Sequence, residues 1–183
     1  MTGRLTTNKW SGPRENDQLD LAAVRLEGSG LPPYPAVDKF QLDVGALQFA
    51  TTQSPTARYG AIGFPASKTR VRHSPAELRV APYALLAQLA PQREYAHKGL
   101  RPESHLYLVF NRRKSFNLVG QGRSFPKPHG LSGAPVFELF DEEKSHQGES
   151  FPIAGVVTTW KPQEHRLLCA SAFALRELVE IAA

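Results

Sequence analysis

Fifteen prolines and fourteen glycines spread through 183 residues constrain this chain more than any other feature. Proline removes a backbone donor and fixes φ, while glycine weakens a helix interior. At this density they leave room for short strands joined by turns, not for a helical bundle. An apolar share of 41% with 21% charged residues still suffices to bury a core, in one domain or in two small subdomains that share it. A mostly β fold is expected.

Strands are predicted at residues 19–26, 37–42, 59–64, 105–110, 134–139, 153–160 and 167–172, with an edge strand at 68–73 and a short one at 116–119. Two helices are predicted. The first is 82–89, with leucines at 85, 86 and 89 behind Pro82 at a first helical position. The second is 172–182, where Leu175, Leu178, Val179 and Ile181 share one face. Residues 1–18 are polar and turn-rich and read as a flexible N-terminal segment; 19–183 read as the domain.

Several function classes drop out. No apolar run approaches the roughly 20 residues of a membrane span, so no membrane association is expected. The first ten residues hold no signal-peptide core, and the single cysteine, Cys169, excludes an intramolecular disulfide. A cytoplasmic location is the expectation. A net charge of +5 raises nucleic acid as a partner, yet the basic residues are dispersed apart from 68–72 and 112–114, which read as solvated turns. A nucleic-acid-associated barrel is therefore only a third reading. His97 with His105, and Cys169, lack metal-ligand spacing, so neither a metal nor a cofactor is expected.

Chemistry concentrates in residues 128–137, Pro-His-Gly-Leu-Ser-Gly-Ala-Pro-Val-Phe. Gly130 and Gly133 around Ser132 permit a loop that exposes one hydroxyl and turns backbone N–H groups toward it. The Gly-x-Ser-x-Gly elbow of α/β-hydrolases does not fit. Its fifth position is here Ala134, and the chain then enters a strand rather than a helix.

Four stretches in order resemble the trypsin-like, chymotrypsin-fold serine peptidases, especially bacterial ones. They are Asp-Leu-Ala-Ala-Val-Arg-Leu from Asp20, Gly-Ala-Ile-Gly-Phe-Pro from Gly60, Gly-Leu-Ser-Gly-Ala-Pro-Val from Gly130, and Ile-Ala-Gly-Val-Val-Thr-Thr-Trp from Ile153. The resemblance implies an antiparallel β-barrel, the second of that fold with the tail of the first, closed by a C-terminal helix. It implies Ser132 as nucleophile and Gly130 and Ser132 as oxyanion-hole donors. Asp20 would orient a histidine, with Asp43 as a rival for that role. Thr158, Thr159 and Trp160 would lie along a bound peptide, and His129 would line its pocket. Leu131 stands where vertebrate digestive members carry an acid.

One component is missing from this pattern. The mechanism needs a histidine to take the serine proton, and the family places it before the aspartate. All six histidines here (73, 97, 105, 129, 146 and 165) come after Asp20. His129 and His105 are expected to be pocket or packing residues rather than the base. The expected function is a serine endopeptidase domain, incomplete on its N-terminal side and impaired as it stands; the alternative is an inactive relative that binds peptides or proteins. Self-association, or a partner chain covering the absent barrel, is expected with either.

Overall fold

The computed structural model describes residues 2–7, 22–27, 48–65, 70–73, 76–79, 82–110, 116–117, 127–140 and 151–182. Among these residues eleven strands and two helices succeed one another in the order β1 (Thr2–Thr7), β2 (Ala22–Glu27), β3 (Arg58–Gly63), β4 (Arg70–His73), β5 (Ala76–Arg79), β6 (Tyr83–Leu89), α1 (Gln92–Lys98), β7 (His105–Phe110), β8 (Phe116–Asn117), β9 (Pro135–Phe140), β10 (Ile153–Lys161), β11 (Arg166–Ser171) and α2 (Ala172–Ala182).

Six of these strands close on themselves. β3, β9, β10, β11, β7 and β6 are hydrogen-bonded in that order, all antiparallel, and β6 pairs back onto β3. In chain order β3, β6 and β7 are successive neighbours, and β9 returns to lie beside β3, which is a Greek key. Closure removes the exposed edges that an open sheet would carry. β1 with β2 and β4 with β5 form separate two-stranded sheets.

Period-two alternation fills the barrel. Tyr59 and Ala61 from β3, Leu85 and Ala87 from β6, Leu106 and Leu108 from β7, Val136 from β9, Val157 from β10, and Leu167 and Cys169 from β11 make one buried cluster. Outward-facing residues of β7 and β11 pack against the helices. Tyr107 and Leu168 pack with Tyr95 and Leu100 around α1, while Ala170 meets Ala174, Leu175 and Leu178 of α2. Cys169 lies wholly inside, and burial pushes its thiol pKa up, which leaves it an inert apolar filler.

Three expectations change. Residues 82–89 are not a helix: Tyr83–Leu89 is β6, held between β3 and β7. Tyr83, Leu85 and Ala87 point into the core at period two, and pairing on both sides overrides the helical spacing of the leucines. Thr2–Thr7 of the expected flexible segment is a strand whose Thr2 to Thr7 pair in order with Glu27 to Ala22. Helix α1 was not predicted at all. The expected strand at 37–42 lies outside the described residues. Helix α2 lies against β10, β11, β1 and β2. Among the described residues no helix is long and apolar enough to cross a membrane.

Candidate active site

Two successive turns shape the loop that enters β9. Leu131 donates its N–H to Pro128 O at 3.2 Å, and Ala134 donates to Leu131 O at 2.8 Å. In each four-residue turn only the third residue has positive φ, Gly130 at 83° and Gly133 at 87°. That is the type II pattern, and it explains why glycine recurs at this spacing. The residues flanking the serine are anchored: Leu131 is 1% and Ala134 7% exposed, both in the barrel core. Ser132 between them is exposed.

The barrel wall accommodates this anchoring at Gly63, the end of β3. A Cβ there would stand 2.6 Å from Leu131 Cδ2 and 2.9 Å from Ala134 Cβ. On the other side β10 stitches the loop down. Gly133 N donates to Val157 O at 2.8 Å, and Val157 N donates to Ala134 O at 2.9 Å. The Ser132 hydroxyl donates to Thr158 O at 2.9 Å. Among the described residues, the N–H groups of Gly130 and Ser132 have no hydrogen-bond acceptor.

A register shift in the β10–β11 ladder between Val157 and Thr159 bulges Thr158 out of sequence. Its carbonyl thereby reaches Ser132, while its side chain is buried and donates to Leu168 O at 3.1 Å. Thr158 therefore meets the site through its backbone, not as a lining side chain. Thr159 and Trp160 are half-buried. Trp160 packs on the core and meets the His129 ring edge-on, with centroids 4.9 Å apart at 85°. Core and site roles coincide in this tryptophan. Pairing of β10 with β9 ends at Val156, so among the described residues no strand lies beside Thr159–Lys161 on that side.

The structure thus brings Gly130, Ser132, the Thr158 carbonyl, Trp160 and His129 into one neighbourhood. It brings no base to the serine: no imidazole among the described residues hydrogen-bonds Ser132. The His129 ring packs edge-on against Trp160. His105 is separated from the loop by β10 and β11. Its Nδ1 lies 2.9 Å from Ser104 Oγ and 3.2 Å from Arg101 O, and its buried Nε2 has no partner among the described residues. Burial lowers the His105 pKa, with the Arg101 charge adding to the effect and a hydrogen bond to the Arg101 backbone opposing it. His97 is exposed on α1, and His165 takes a left-handed φ of 52° in the turn before β11. Asp20, Asp43, His146 and the side chain of His73 lie outside the described residues.

A second polar cluster, on the barrel's outer face, is legible only in three dimensions. Arg166 on β11 makes paired 3.1 Å hydrogen bonds to Glu94 of α1, and Lys98 of α1 reaches Glu164 at 2.7 Å. The Tyr107 hydroxyl also donates to Glu164, and these two donors hold the Glu164 carboxyl below its usual range. Every charge here has a partner, and the cluster clamps α1 and the β10–β11 turn to the barrel. No group of three or more metal-ligating side chains occurs among the described residues. Comparison with family models, with curated proteins and with solved structures finds no match for this chain.

Proposed function

We propose that this chain is a trypsin-like serine-peptidase domain that, as it stands, holds peptides at the Ser132 loop without cutting them. The observation that carries the reading is the loop itself. An exposed serine stands between two type II turns, with N–H groups on its own residue and on Gly130 that have no acceptor among the described residues, where the chain enters β9 of a closed Greek-key barrel. The side of Thr159–Lys161 that no strand pairs among the described residues suits an extended peptide added as a further strand. Trp160 and His129 supply an aromatic wall. Silence has its cause in the serine's environment: its proton is given to Thr158 O, a carbonyl that cannot act as a base, and a serine hydroxyl without a base is a poor nucleophile at neutral pH.

The experiment uses a pool of fluorescein-labelled random peptides and follows anisotropy and chain length together. The proposal expects retention by the wild-type protein, no cleavage, and loss of retention in Ser132→Trp, whose bulky side chain crowds the exposed loop. Absence of retention, or retention unchanged in folded Ser132→Trp, would rule the groove out. The second reading, an active endopeptidase, is favoured by the exposure of Ser132, which leaves the hydroxyl open to a histidine from another segment or a partner chain. Cleavage that disappears in Ser132→Ala would establish it. Under either reading, self-association or a partner is expected through β1 and β2, which no third strand joins among the described residues. A single monomeric species at all concentrations in size-exclusion chromatography would count against self-association.

A further inference from the structure

We propose that the ligand of the Ser132 loop is a peptide ending at its own C-terminus, whose free carboxylate sits on the Gly130 and Ser132 N–H groups. This rests on the proposed peptide groove and narrows it to one class of ligand.

Three observations converge on it. The first is the donors. Among the described residues neither N–H has an acceptor, and successive turns with glycine at positive φ are backbone of the kind that cradles an anion. An amide carbonyl acquires its negative charge only in a transition state, and among the described residues no imidazole serves Ser132 to reach it. A carboxylate carries that charge from the outset, so the same donors favour it in the ground state.

The second is direction. The barrel is antiparallel throughout, and a peptide added antiparallel to Thr159–Lys161 starts beside Lys161 and runs back toward Thr158. The Ser132 hydroxyl is bonded to the Thr158 carbonyl, so it is the peptide's carboxyl end that arrives at the loop. The third is charge. Residues 127–137 and 157–161 contain no Asp or Glu, whereas Lys127 and Lys161 lie at their outer ends, both exposed. An arriving carboxylate meets no like charge from these segments.

The hydroxyl is already committed to Thr158 and is not required for recognition. Ser132→Ala is therefore expected to keep the preference, because the backbone donors remain.

The test varies the ligand, so it does not depend on a variant folding. N-acetylated tripeptides ending in Phe, Leu, Lys or Ala are made as free acids and as amides. Affinity is read by calorimetry, and the backbone amides by nitrogen-15 NMR. At least one free acid is expected to bind about tenfold or more tighter than its amide, the worth of a charge-assisted hydrogen bond. The Gly130 and Ser132 amide signals should move with the acid and not with the amide, and Ser132→Ala should retain the difference. Equal affinity of acids and amides would overturn the carboxylate proposal while leaving the groove in place. Failure of every tripeptide and of the random peptide pool to bind would overturn both.

Discussion

Ser132 is exposed because the residues that anchor its loop are not. Leu131 and Ala134 are buried in the barrel, and Gly130 and Gly133 make the turns that reverse the chain between them. This much was legible from sequence, since a φ-permissive glycine either side of a serine is local chemistry. That Leu131 acts as an apolar anchor, and that the serine's partner is a bulged carbonyl 26 residues away, was not. Replacing Gly133 with alanine puts a Cβ into a left-handed conformation, where open space does not relieve the backbone strain. Gly133→Ala is expected to cost about 1–2 kcal/mol in urea unfolding. His105 gives a pH prediction. Burial lowers its folded pKa below the ordinary 6.5, so the unfolded chain binds the proton more readily. Its contribution is complete above pH 6.5 and is lost as pH falls from there through the lowered folded value. The urea midpoint should therefore drop between pH 7.5 and pH 5.5, by less in His105→Asn; an equal drop in both proteins would refute this source of acid sensitivity.

Elements were legible where their pattern was unambiguous and lost where two periods competed. β7, β10 and α2 match their predicted ranges to within a residue. β6 did not, because Leu85, Leu86 and Leu89 suit both a helix and a strand, and only β3 and β7 on either side decide between them. α1 went unseen for a different reason. It is seven residues long with one buried side chain, Tyr95, and no side-chain cap at its start. A helix that short is marginal alone and stands on tertiary contacts. Chief among these is the Tyr95 hydroxyl, which accepts the Tyr107 N–H at 2.7 Å beneath edge-to-face rings. Burial pushes the Tyr95 pKa up to about 12, so the hydroxyl stays neutral at physiological pH. Tyr95→Phe leaves the Tyr107 N–H buried without an acceptor and is expected to cost about 1–3 kcal/mol. Loss of hydrogen-exchange protection at Tyr107 would locate the effect; a variant as stable as the parent would show that the bond is dispensable.

At the scale of the whole molecule, barrel closure was anticipated in kind but not in its connections. No local pattern could show that β6 pairs with both β3 and β7, or that β9 returns to β3, since these contacts join distant parts of the chain. The absence of a histidine before Asp20 was read directly from the sequence. The structure adds that no later histidine among the described residues reaches Ser132. We propose that the Ser132 loop is a nucleophile loop without its base, and reaction of the folded chain with a fluorophosphonate, mapped by mass spectrometry, tests this most directly. The expected result is no adduct on Ser132 above the background of Ser132→Ala. Stoichiometric labelling of Ser132 in the isolated chain would contradict the account, because only a base already at the serine could produce it.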